Sequence, residues 1–218
     1  MNARDVVLAR IKKALDADTQ VAAVTRGYRG AGASRLSPAG LVPLLSERLT
    51  DYKARVHTAE ATDLPQVVAA VLAGARSCVI PAGLDRAWTA GWEGAVGRVL
   101  VDEPAAPLTV EDLDRVDAVL TGARVAIAET GTIVLDGGRD QGRRALTLVP
   151  DRHICVVRAD QVVAGVPDAV AVLDPVADGP RPLTWISGPS ATSDIELQRV
   201  EGVHGPRTLE VILVASRQ

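Results

Sequence analysis

Between residues 54 and 120 the chain alternates short apolar runs with stretches of helical period, and that alternation narrows the possible folds more than anything else in it. ARVHTAE (54–60), SCVIP (77–81) and RVLVD (98–102) are short and rich in β-branched residues, as strands are. Between them Asp63 opens a helix with Val67, Val68, Val71 and Leu72 turned inward. Thr109, with Asp112 three residues on, begins a helix carrying Leu113, Val116, Val119 and Leu120. Strand and helix in turn predict an α/β fold, a parallel sheet with helices on its faces. Two helices precede this region. Asn2 can cap one bearing Val7, Leu8, Ile11 and Leu15 on one face. Ser37-Pro38 starts the other, with Leu41, Leu44, Leu45 and Leu49 as its buried stripe.

Beyond Gly122 the texture changes. RVAIAE, GTIVLDG, RALTLVP and HICVVRAD read as strands with short connections, so part of this half is antiparallel or mixed. PDAVAVLD can form a helix, PLTWIS another strand, and TLEVILVA is the fully apolar run of a strand in a sheet's centre. Residues 20–34 are polar, Gly- and Arg-bearing and without core periodicity, a loop or a mobile arm. The division expected is a helical N-terminal extension over 1–52 and a single α/β domain over 53–218.

Composition removes several function classes. A chain of 218 residues buries about 70% of its unfolded surface and needs no metal or disulfide to fold. No apolar run approaches the ~20 uncharged residues of a membrane span, and the charged N-terminus lacks a signal-peptide core, which predicts a cytoplasmic protein without membrane insertion. A net charge of −3 and five aromatic residues give no basic face and no stacking platform for nucleic acid. Cys78 and Cys155 sit alone in apolar runs, as buried hydrophobes do, and no His or Cys pair has metal-ligand spacing. Neither a dinucleotide nor a P-loop fingerprint is present.

What remains for chemistry is concentrated in two stretches. In RVAIAETGTIVLDGG (124–138) an apolar run delivers Glu129 to the corner Thr130-Gly131-Thr132. Glu129 there can act as acid, base or nucleophile, or simply accept backbone N–H bonds from the corner. In WISGPSATSDIELQRVEGVHGP (185–206), Gly188, Ser190, Thr192, Asp194 and Glu196 crowd a turn whose hydroxyl and N–H groups can cradle a phosphate or carboxylate. The bland alternative is that Ser190 or Thr192 caps a following helical turn. His204, flanked by glycines, is the histidine placed to be exposed and to titrate near neutrality, whereas His57 and His153 read as strand residues with satisfied rings. Arg143 and Arg144, in the hairpin loop GGRDQGRR, can clamp an anion. A ligand pocket is expected at strand ends near Glu129, Ser190 and His204.

ETGTIVL (129–135), LTLVPDRHICVVRADQVV (146–163), GPSATSDIE (188–196) and GVHGP (202–206), in this order, resemble the lactate-utilisation (LUD) domain family, and within it the C-component branch of a three-part L-lactate utilisation system. The resemblance implies a Rossmann-like three-layer fold of the glucosamine-phosphate deaminase, ribose-phosphate isomerase and CoA transferase superfamily. It implies a non-redox component with no cofactor of its own, working with iron–sulfur partner proteins to oxidise L-lactate to pyruvate. CoA transferases of that superfamily use a glutamate at a strand-end glycine turn as nucleophile, and AETG (128–131) is similar in placement. A second function is thereby open: a stand-alone enzyme using Glu129 with His204 for acid/base or acyl transfer on a small phosphorylated or CoA-linked anion.

Overall fold

The computed structural model describes residues 2–15, 23–94, 97–174, 181–192, 200–201 and 204–215. Its helices are α1 (Ala3–Ala14), α2 (Pro38–Asp51), α3 (Leu64–Val71), α4 (Val110–Asp114) and α5 (Val166–Leu173). The strands are β1 (Arg55–Ala59), β2 (Ser77–Pro81), β3 (Arg98–Asp102), β4 (Ala118–Thr121), β5 (Val125–Ile127), β6 (Thr132–Leu135), β7 (Arg152–Arg158), β8 (Val162–Val163), β9 (Thr184–Ile186), β10 (Ala191–Thr192), β11 (Val200–Glu201) and β12 (Thr208–Val214).

Six strands form a central sheet in the order β1-β12-β7-β4-β2-β3, parallel at every pairing. Alternation along the strands feeds two cores. Cys78, Ile80, Leu120, Ile154, Val156 and Ile212 point to the face covered by Val68, Val71 and Leu72 and by Trp92. Cys155, Val157, Val211 and Leu213 point to the other, against Leu45 and Leu49 of α2. On that second face a smaller mixed sheet, β8-β5-β6-β9, shares the layer with α2, through Ala126, Ile133 and Leu135. The outer side of this small sheet is closed by α5, whose Ala169 and Leu173 pack on Val125, Ile127 and Val134. The α/β class, the parallel sheet with helices on both faces and the mixed C-terminal half agree with the sequence. So does TLEVILVA, which as β12 is paired on both sides.

Helix starts follow their caps. Asn2 and Asp5 form a reciprocal capping box, as do Thr109 and Asp112. Pro38 opens α2 behind Ser37, without a side-chain bond from the serine. Leu45 and Leu49 of that helix are fully buried, so the segment ahead of residue 53 contributes to the domain's core. Val7, Leu8, Ile11 and Leu15, by contrast, are about half exposed, and α1 buries nothing.

Two elements differ from the expectation. The helix foreseen through Leu120 stops at Asp114. Asp117 then turns its carboxylate onto the N–H groups of Arg76 and Ser77, at 2.8 and 2.9 Å, and Ala118–Thr121 continue as a wholly buried strand. RALTLVP is no strand either: Arg144–Thr147 form a 3-10 turn, held by Arg144 donating to the Thr147 carbonyl.

Candidate functional site

Glu129 lies just past β5, in the hairpin to β6. Its N–H donates to Ala164 O at 3.0 Å, extending the pairing with the β8 side up to the corner. Gly131 makes the reversal at φ +59, with Arg48 so close that a Cβ would stand 2.7 Å from it. The described partners of the carboxylate are not corner N–H groups. Arg29 Nη2 meets Oε2 at 2.6 Å and Nη1 meets Oε1 at 3.4 Å, with Ser34 Oγ donating from 3.4 Å. The hydrogen bond and charge of Glu129 raise the Arg29 pKa above its ordinary value. Close by, Gly32 N–H donates to Asp168 Oδ1 at 2.6 Å, and Gly165 leaves room for the guanidinium, which a Cβ there would approach to 2.6 Å. The Gly/Arg segment is therefore irregular yet pinned to the domain at three of its residues.

The corner's hydroxyls run another way. Thr130 Oγ1 and Thr132 Oγ1 are 2.8 Å apart, and Thr132 Oγ1 is 2.8 Å from Ser187 Oγ at the exit of β9. From there Gly188, at φ +100, turns the chain against the Tyr52 carbonyl. Ser190 N–H then donates to Pro206 O at 2.8 Å, and Ser190 Oγ accepts the His204 N–H at 3.0 Å. The two polar loops thus close on each other and line a cavity of about 220 Å³ together with Arg144, Thr147 and His153. Ser190 and His204 share this cavity; Glu129 does not line it. It borders a separate depression with Arg29, Ser34 and Arg48. Thr132 and Ser187 connect the two places, but the three expected site residues do not surround one pocket.

Ala191 and Thr192, directly after Ser190, are extended and pair antiparallel with Glu201 and Val200, so the described residues past the turn are strand. Asp194 and Glu196 lie outside the described residues.

A larger cleft, about 1280 Å³, opens at the carboxyl ends of β2 and β3 and of β6, where open α/β sheets take ligands. Arg143 and Arg144 border it with different duties. Arg143 grips Asp102 side-on, Nε to Oδ2 and Nη2 to Oδ1 both at 2.9 Å, and also donates to Leu108 O. Burial would raise the Asp102 pKa, but the bonds from Arg143 and Leu108 N–H outweigh it and hold it below its ordinary value. Arg143 is thus occupied by the chain's own carboxylate rather than free as a clamp. Arg144 donates from Nη1 to Thr147 O and Oγ1, at 2.8 and 3.0 Å, and borders both cavities. His153 bonds Thr121 Oγ1 through Nε2 at 2.8 Å; burial, then the charge of Arg144, lowers its pKa to about 4, so it is neutral at pH 7.

Arg29, Ser34, Asp102 and Thr147 were not singled out from sequence. Arg29 and Glu129 are 100 residues apart, and nothing local relates them.

The LUD domain family model matches residues 42–214. A Deinococcus radiodurans protein named Lactate utilization protein C is 55% identical over 181 residues, 82% of each chain. The Bacillus subtilis protein of that name is 32% identical over 112 residues, half of this chain and 46% of its own. A crystal structure of a DUF162 family protein from Deinococcus radiodurans superposes with a TM-score of 0.70 at 45% identity, covering 82% of this chain and 99% of that one.

Proposed function

The chain belongs to the LUD domain family, and from that premise we propose that it serves L-lactate utilisation as the non-redox component of a multi-protein system, beside iron–sulfur partner proteins. The observation that carries the reading is the 55% identity to a Lactate utilization protein C across 82% of both chains. Oxidising lactate to pyruvate removes two electrons and two protons, so an acceptor is required. The chain's two cysteines lie on opposite faces of the central sheet, and burial pushes both thiols up to about 12, away from the thiolate form that ligates clusters. The reading therefore assigns electron transfer to the partners.

In this scheme the loops of Ser190 and His204 form the substrate-binding or docking surface, with the Glu129 corner beside them. Glu129 enters as a proton-transfer group only when Arg29 withdraws, since both of its carboxylate oxygens are turned to that guanidinium. The acyl-transfer alternative asks the same carboxylate to be a free nucleophile, and its ion pair speaks against that.

The test is purification of the tagged protein from its own cells grown on L-lactate, with iron, acid-labile sulfide and lactate oxidation measured in the eluate. Co-purifying cluster proteins, with oxidation that stops when this chain is omitted from the reconstituted mixture, are expected. Undiminished lactate oxidation by the partners alone would overturn the reading. Glu129→Gln in the same mixture decides the role of that residue, and unchanged turnover removes it from the chemistry.

A further inference from the structure

Arg143 and Arg144 are neighbours in sequence with contrasting partners, and the contrast exposes a site. Arg143 spends its Nε–Nη2 edge on Asp102 in the side-on pairing that suits a carboxylate best. Arg144 spends only Nη1, on Thr147. Its own Nε–Nη2 edge has no partner, and no carboxylate pairs with it, among the described residues. Partial desolvation lowers its pKa slightly, and it keeps its charge at pH 7. A guanidinium with an open fork at the mouth of a cavity is suited to a ligand carboxylate, which it can meet with two parallel N–H bonds.

The surroundings narrow the ligand. The cavity Arg144 shares with His153, Ser190 and His204 measures about 220 Å³. Taking ~30 Å³ per water, this is room for about seven heavy atoms, the size of a short carboxylic acid. His153 is neutral there at pH 7, so it does not compete as a cation. Ser190 Oγ accepts from His204 N–H, which leaves its own hydrogen to donate, and the His204 ring has no described partner. Arg144, Ser190 and His204 thus line one space together, a cation, a hydroxyl and an imidazole.

Resting on the lactate-utilisation reading, we propose that this cavity binds a short α-hydroxy or α-keto monocarboxylate, its carboxylate on the Nε–Nη2 edge of Arg144 and its α-oxygen towards Ser190 and His204. The substrate is then held by this chain itself, not only by its partners.

Calorimetric titration of the whole protein with L-lactate, pyruvate, propionate and inorganic phosphate tests the site. Saturable binding of lactate or pyruvate is expected. Arg144→Gln should weaken it at least about tenfold, Arg144→Lys should recover it only partly because the fork is lost, and Arg139→Gln, at the large cleft, should leave it unchanged. Ser190→Ala should weaken lactate and pyruvate but not propionate, which has no α-oxygen. Absence of saturable binding overturns the proposal. So does binding indifferent to Arg144, or equal binding of phosphate. A chain required for reconstituted lactate oxidation that binds neither acid would remove this site and leave the subunit role standing. Binding by a chain the reaction does not need would do the reverse.

Discussion

Glu210 offers a prediction whose size can be worked from geometry. It sits on β12 with a side chain 3% exposed, and accepts from Arg152 Nε at 3.0 Å and Nη2 at 2.5 Å, with His57 Nε2 at 2.7 Å and Arg55 Nη1 at 3.5 Å. Such burial places it with interior pairs rather than with surface ones. Removing one partner from an interior pair costs about 3–5 kcal/mol, because the other charge is stranded. Glu210→Gln keeps one acceptor, and Arg152 still reaches solvent and the Val71 carbonyl, so the lower end applies, about 3 kcal/mol. At roughly 2–4 °C per kcal/mol for a chain of this length, Tm should fall by about 6–12 °C. The pH dependence adds a second check. Burial would raise the carboxyl pKa, but His57 and Arg152 outweigh it and bring it below the ordinary value. Its contribution is therefore complete above the unfolded pKa of about 4.3 and is lost as pH falls through the lower folded one. Thermal unfolding of both proteins by circular dichroism from pH 7 to 3 should show a gap that is constant down to about pH 4.5 and then narrows. A gap under ~2 °C at pH 7, or one that does not narrow in acid, would refute the reasoning.

Three further predictions follow from other residues. His153, held near 4 in the fold against about 6.5 unfolded, makes the native state lose stability as pH falls from 6.5 to 4, and His153→Gln should flatten the urea midpoint across that window. Leu49→Ala, emptying a fully buried position of α2, should cost about 2–5 kcal/mol by urea unfolding, and an unchanged midpoint would detach that helix from the core. Gly131→Ala combines φ +59 with a Cβ 2.7 Å from Arg48 and should cost about 1–3 kcal/mol in the same assay.

The fold was legible where local chemistry decides structure. Asn2 caps the first helix as expected, Thr109 with Asp112 caps the helix their spacing announced, and the apolar runs of β2, β3, β7 and β12 are strands. Leu113, Val116, Val119 and Leu120 suit a helix, but a four-residue strand buried on both faces carries no period of its own, and the neighbouring strands settle the matter. RALTLVP misled for a related reason: its apolar residues turn inward from a 3-10 turn that Arg144 fastens. At the site, the crowding of polar residues around Ser190 and His204 did mark two loops that meet. What set Glu129 apart from them is the ion pair with Arg29, a contact made by tertiary folding.

The strand order has a consequence for how the molecule is made. Arg55 stands opposite Glu210, 155 positions away, and β12 is the only sheet neighbour β1 has among the described strands. During synthesis β1 therefore emerges long before its mate, and β7 too lacks one flank until β12 is inserted between them. Pairings of such long range close slowly, and the interval leaves the edges of β1 and β7 open to other nascent chains. Biogenesis rather than final stability is then where this architecture is most vulnerable, and where a holding chaperone would matter most.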